Sequence, residues 1–314
     1  MHISDFRLDT TASQQTTSAL VSWECAGRPA TRIHFTIPAS TEIRLSLVPE
    51  AFLLACVAPA MAAGEAQIVC DAAIGPMLLR ALPSALALIR TWSPSFFPAR
   101  LAPAIRTAKP TPHKSRVARR AILLSESADA IDLLLSQPDA QADASPTIAV
   151  WASGLEDAPA NTDLELAAQL CAARGIAFLP LTTNLRALNG ANEFWHQCFA
   201  GFACAAVGHC LNTTIGMFEI ANHGEALGAA VQSPSALHPT LLYGLGSEAL
   251  DIWSPRVEVP HTARLEHITA NPAAQSAMSV WAAREQGAQC LQVGPSPINR
   301  LRALLSRGTI RALG

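Results

Sequence analysis

Apolar and polar residues alternate through roughly the first forty positions, between scattered Gly and Pro. A period of two predicts extended chain, and residues 18–23 and 31–36 are expected to pair as antiparallel strands. The pattern then lengthens. Residues 48–63 and 73–92 predict helices, with Pro83 expected to kink or divide the second. Residues 106–118 break both periods: Pro110 and Pro112 disfavour a helix, and Arg106, Lys109, Lys114 and Arg116 keep the segment in water. The expected organisation is therefore an N-terminal strand-and-helix domain over 1–105, a basic linker over 106–118, and a second domain over 119–314.

Beyond residue 119, short apolar runs alternate with helical patterns. Residues 120–125, 147–152, 176–181 and 216–220 have the length and apolarity of buried parallel strands. A helix is expected after the first run, through Leu135. A second follows the capping-box sequence Thr162-Asp163-Leu164-Glu165 and ends near Gly175, and a third covers about 191–211. Strands that alternate with helices imply an α/β fold with a parallel sheet and right-handed crossovers. In such sheets the ligand site lies beyond the C-terminal strand ends.

Composition narrows the function. Half of the 314 residues are hydrophobic and 15% are charged, so a sizeable core can be buried, while a net charge of -2 gives no global attraction to nucleic acid or acidic membranes. The basic stretch from Arg106 to Arg120 has no interleaved aromatics and is expected to be a solvated linker rather than an RNA site. Lys109 and Lys114 are the only lysines, which argues against a Schiff-base or P-loop lysine deep in the fold. No basic-then-apolar leader opens the sequence, and the longest apolar stretch is broken by Pro59 and too short to span a bilayer, so a cytoplasmic protein is expected. The eight cysteines show no CxxC pair and are expected to be reduced core residues.

Candidate chemistry gathers at a few segments. Residues 124–134 read Leu-Ser-Glu-Ser-Ala-Asp-Ala-Ile-Asp-Leu-Leu, where the first parallel strand meets its helix. Residues 182–186 read Thr-Thr-Asn-Leu-Arg. Gly246-Ser247, Leu250-Asp251, Trp253-Ser254 and the run from His261 to Glu266 follow, with Trp281 and Cys290 beyond. In this order and spacing, the segments resemble those of the PP-loop ATP pyrophosphatases, specifically degenerate relatives of 7-cyano-7-deazaguanine synthase. The resemblance covers nearly the whole chain. It implies an adenine-nucleotide α-hydrolase-like domain behind a smaller β/α domain. Intact members adenylate a carboxylate or carbonyl oxygen with ATP, release pyrophosphate, and let a nitrogen or sulfur nucleophile displace AMP. The implied remnant nucleotide site comprises Ser125, Ser127, Asp129, Thr183, Asn184, Arg186 and Arg264.

Departures from the pattern set the functional expectation. A phosphate-gripping loop works through backbone N–H groups that glycines let approach the ligand. Here Glu126 and Ser127 replace the two glycines, and Ala130 replaces the final serine. A carboxylate at about 4–6 Å repels each phosphate charge by roughly 3–4 kcal/mol at an effective dielectric near 20. Ser125 and Asp129 match the pattern, but a serine ending a strand and an aspartate supporting a helix start are equally good readings of them. Arg264 is a candidate phosphate or carboxylate clamp, or a member of a salt bridge. Glu248-Ala249 replaces the expected His-Pro after Gly246-Ser247, with His238-Pro239 slightly upstream, and His267 stands in place of a lysine. Around Cys290, Val293 and Ser296 occupy expected thiolate positions, and one cysteine cannot hold a structural zinc.

His196, Cys198, Cys204, His209 and Cys210 crowd one helix at spacings that suit core packing better than metal binding. His223 and Glu225 follow a strand end and are placed either at the crevice or in a solvated loop. The expectation is a non-catalytic subunit or scaffold with a protein partner or a second copy, with no cofactor. The alternatives are a divergent adenylating enzyme using ATP and Mg, and a small-molecule-binding protein reusing the crevice.

Overall fold

The computed structural model describes residues 1–25, 27–98, 102–108, 117–138, 147–155, 161–222 and 235–289. The chain is an α/β protein, and its described residues form one ten-stranded sheet. Strands β1 (His2–Thr10), β2 (Gln14–Ser22) and β3 (Thr31–Pro38) form an antiparallel meander. Helix α1 (Pro49–Ala62), strand β4 (Gln67–Ala73), helix α2 (Pro76–Trp92) and strand β5 (Ala104–Ala108) follow, with β4 parallel to β1 and β5 parallel to β4.

The second half supplies β6 (Arg120–Leu124), α3 (Ala128–Leu135), β7 (Ile148–Ser153), α4 (Asn161–Ala173) and β8 (Ala177–Thr183). A helical stretch then runs through α5 (Asn192–Phe194), a π turn (Trp195–Phe199) and α6 (Ala200–Cys210). The chain continues with β9 (Met217–Glu219), α7 (Pro239–Tyr243), β10 (Asp251–Trp253), α8 (His261–Thr269) and α9 (Pro272–Gln289). The sheet order is β10-β9-β6-β7-β8-β3-β2-β1-β4-β5. The strands β6 to β10 are parallel and lie in the doubly wound order 3-2-1-4-5.

Strand periodicity explains the layers. In β7, Ile148 and Val150 enter one core, while Ala149 and Trp151 enter the other. Helices α3, α4, α8 and α9 cover the second face, and α1 and α6 lie in the core on the first. In β3, Ile33, Phe35 and Ile37 all enter the first core, while Arg32, His34 and Thr36 between them are half-buried. Helix α1 is buried from Glu50 to Met61 and α6 along its whole length. That is why both read as apolar all round. No helix among the described residues is long and apolar enough to cross a membrane.

Several expectations change. Residues 106–108, assigned to the linker, belong to β5, where Arg106 pairs with Val69 and Thr107 with Cys70; residues 109–116 lie outside the described set. The two halves share a sheet edge, because β3 pairs antiparallel with β8 through Phe35–Thr183 and Thr36–Thr182. The second helix starts at Pro76 rather than at 73, since the preceding residues belong to β4, and α2 runs unbroken through Pro83.

Candidate functional site

A cavity of about 160 Å3 opens where β6, β7 and β9 end. The first strand of the parallel half is β6, and β7 and β9 flank it, so the cavity sits at the switch point where such sheets leave a crevice. The floor is the turn from Leu123 to Ala130. One wall is the segment from Trp151 to Leu155, and the opposite side is Ile220 and Ala221. The π turn and α6 supply Trp195, His196, Ala200 and Cys204, and Leu237 closes the edge. A π turn widens a helix locally and commonly marks a functional wall.

The loop at the floor satisfies its own donors. The Ser125 hydroxyl donates to Ser127 Oγ at 3.1 Å, and the Ser127 N–H points at Ser125 Oγ at 3.4 Å. Ser127 is the N-cap of α3 and accepts from the Ala130 N–H at 3.2 Å. Two amide groups that a phosphate would require thus face serine oxygens. Glu126 lies between these serines, exposed to solvent.

Asp129 follows, buried in the first turn of α3. Its Oδ1 accepts from Arg264 Nη1 at 2.9 Å, and His261 Nδ1 stands 3.5 Å from the same oxygen. Arg264 is 1% exposed, which a guanidinium tolerates only when its donors are used. Nη1 also donates to the Asn222 carbonyl at 2.6 Å, Nε to Val259 at 3.2 Å, and Nη2 to the Arg256 carbonyl. Arg256 adopts φ of 60°, an uncommon conformation for a non-glycine residue. Its guanidinium holds the fully buried Asp132 at 2.7 and 3.2 Å, and His267 Nδ1 reaches the same carboxylate at 2.7 Å. Two aspartates one turn apart on α3 are therefore held by α8 and the segment before it.

Ser125, Ser127 and Asp129 meet at the cavity, and Arg264 joins them through Asp129. The other expected site residues do not line it. Thr183 Oγ1 donates to the His34 carbonyl at 2.7 Å. Asn184 accepts from the His34 N–H at 3.0 Å and donates to the Arg32 carbonyl at 2.9 Å. Both side chains fasten β3 onto β8. Arg186 donates to Asn192 Oδ1 at 2.7 Å and lies 4.6 Å from the centroid of Trp195, and it does not line the cavity. Thr183 touches the site through its backbone: a Cβ on Gly154 would lie 1.8 Å from the Thr183 carbonyl oxygen. Gly154 has φ of 93°, so the wall requires glycine here.

Sequence reasoning did not select Trp151, Gly154, Trp195, Ala221 or Leu237. The available signal was position, since residues 151–155 and 220–221 end parallel strands. His238 caps α7 by accepting from the Thr240 N–H at 3.2 Å, and Glu248 accepts from the Met77 N–H at 2.7 Å, so neither takes part in the cavity. His209 is buried, with Nε2 2.9 Å from the Leu245 carbonyl. Burial pushes the Cys198 and Cys171 thiols up to about 12 and the Cys70 thiol to about 11, as befits inert core residues. Cys25 departs from that expectation and is exposed. Among the described residues, no three His, Cys, Asp or Glu side chains form a metal-holding group. Cys290, Val293, Ser296, His223 and Glu225 lie outside the described residues.

No family model and no curated protein matches the sequence. Among solved structures, the U34-tRNA thiolase NcsA from Methanococcus maripaludis, with its [4Fe-4S] cluster, is similar at a TM-score of 0.32 and 10% identity. The match covers 67% of this chain and 75% of that one. A likeness at this level carries no argument about the site.

Proposed function

We propose that this chain is a non-catalytic relative of the PP-loop ATP pyrophosphatases, on the pattern of degenerate 7-cyano-7-deazaguanine-synthase-like proteins, and that its crevice does not process Mg·ATP. The carrying observation is the state of Asp129 and Arg264. The two groups best suited to face Mg and pyrophosphate are spent on each other, with Arg264 buried among three backbone carbonyls. Recruiting either group leaves the other as a buried, uncompensated charge, at about 3–5 kcal/mol. The occupied amides of Ser127 and Ala130 and the carboxylate of Glu126 add to the mismatch.

The cavity itself favours a second component of this reading, a small-molecule-binding role for the retained crevice. Its walls are mostly apolar and aromatic, with a few polar groups, as in ligand pockets generally. A partner or second copy belongs to the same proposal. The surface to probe for it is the stacked pair Tyr243 and Trp253, 40% and 45% exposed beside the edge strand β10.

Single-turnover pyrophosphate release tests the proposal. With protein in excess over Mg·ATP, and with simple carboxylates and ammonium added as acceptors for the AMP, release is expected at the buffer background. Stoichiometric release that disappears in Asp129→Asn would establish an active pyrophosphatase and sink the proposal.

A further inference from the structure

We infer that Glu50 and Glu248 form a Ca2+ site at the N-terminus of α2, apart from the crevice. Neither residue lines the cavity. The two carboxylates arrive from separate elements: Glu50 stands in the first turn of α1, and Glu248 in the turn that precedes β10. Both reach Gly75, the N-cap of α2. Glu50 Oε1 accepts from the Gly75 N–H at 2.8 Å, and Glu248 Oε1 accepts from the Met77 N–H at 2.7 Å. Glycine makes the meeting possible. A Cβ at residue 75 would lie 2.3 Å from Glu248 Oε2 and 3.5 Å from Glu50 Oε1, so the carboxylates converge on the space that a side chain would fill.

Capping of α2 accounts for one oxygen of each carboxylate and leaves the other. Glu50 Oε2 and Glu248 Oε2 are both shielded from solvent, and neither accepts a hydrogen bond among the described residues. Glu50 as a whole is 1% exposed. Buried polar atoms are nearly always partnered, and an orphan points to a bound water or ion. Here the two orphans carry charge. Like charges at close range repel, and the end of α2 offers only about half a positive charge against them. A water would satisfy the oxygens and leave the charge, whereas a divalent cation cancels it.

Ligand chemistry selects the cation. Carboxylate oxygens favour hard cations, and two of them match a charge of two. Mg2+ dehydrates reluctantly and usually keeps several waters, whereas Ca2+ gives up its hydration shell to carboxylate and carbonyl oxygens. Oxygens closed to solvent therefore suit Ca2+. No third His, Cys, Asp or Glu joins the pair among the described residues, so backbone carbonyls are left to complete the shell. An occupied site ties α1, α2 and the turn before β10 into one joint between the first half of the chain and the second.

Melting of the chelator-treated protein with added CaCl2 or MgCl2 tests the inference. Millimolar Ca2+ should raise the melting temperature saturably, by a few degrees, and the same concentration of Mg2+ should not. Glu248→Gln keeps an acceptor for the Met77 N–H and removes one charge of the pair. It should abolish the Ca2+ response while melting no lower than the parent in chelator. Glu50→Gln, which keeps the acceptor for the Gly75 N–H, should do the same. Calorimetric titration should count one Ca2+ per chain in the parent and none in either variant. An equal response to Mg2+, a Ca2+ response that survives in both variants, or no response in the parent would overturn the site and leave the two carboxylates as caps of α2.

Discussion

Arg264 joins three parts of the chain that are far apart in sequence: the first turn of α3, the end of β9, and the segment that leads into α8. Its partner Asp129 lies 135 positions earlier, so the pair was legible only as two separate motif residues. What neither motif revealed was that each residue is the other's counter-ion, because that depends on how α8 docks on α3. Arg264→Ala should lower unfolding stability in urea by about 3–5 kcal/mol, since it leaves Asp129 buried without compensation. Adding Asp129→Asn should recover part of the loss, and a strictly additive double variant would refute the coupling. A second residue-scale prediction concerns Glu219, buried in β9 and hydrogen-bonded by Gln137 Nε2 at 3.0 Å. Desolvation raises its pKa, against the lowering influence of Gln137 and Arg120. The native state then binds this proton more tightly than the unfolded chain. Its stabilising effect is complete below the unfolded value of about 4.3 and is lost as pH rises through the folded value. Glu219→Gln should therefore melt higher than the parent at neutral pH, with the difference vanishing below about pH 4.

At the scale of elements, the central helices show what the pattern could and could not foretell. Residues 48–63 read as a helix because, Glu50 apart, they are apolar, and α1 occupies nearly that span. Strand β4 was hidden because its apolar run is only Ile68-Val69-Cys70 and the two alanines that end it fit either period, and β10, at three residues, is too short to carry one. The expected strand ending at 181 extends to Thr183, which turns a presumed site segment into the fastening between β3 and β8. Close approach is likewise invisible in sequence. A Cβ on Gly208 of α6 would lie 2.6 Å from the ring of the fully buried Phe218, so Gly208→Ala should cost about 1–3 kcal/mol in a denaturant titration. The cap of α3 makes a smaller test: Ser127→Ala should cost about 1 kcal/mol, because the Ala130 N–H loses its acceptor. A loss well beyond that would mean the serine does more than cap the helix.

Across the described residues, a doubly wound parallel half and a meander with two helices share one sheet, and the crevice opens on the parallel half. The alternation of strands and helices made that half legible as α/β and pointed to the C-terminal strand ends, but the strand order that singles out β6, β7 and β9 is visible only in the structure. The linker expectation failed at residues 106–108 because charge and nearby proline say nothing about a neighbouring edge. Strand β4 leaves its outer side open for β5, whose side chains alternate outward into solvent. The central claim, that the fold survives while the crevice does not take Mg·ATP, is tested most directly by melting the protein with and without millimolar Mg·ATP. A ligand at about 100 times its dissociation constant would stabilise the native state by roughly 2.7 kcal/mol, a shift of a few degrees. The account predicts no shift. A clear rise that Asp129→Ala abolishes would contradict it.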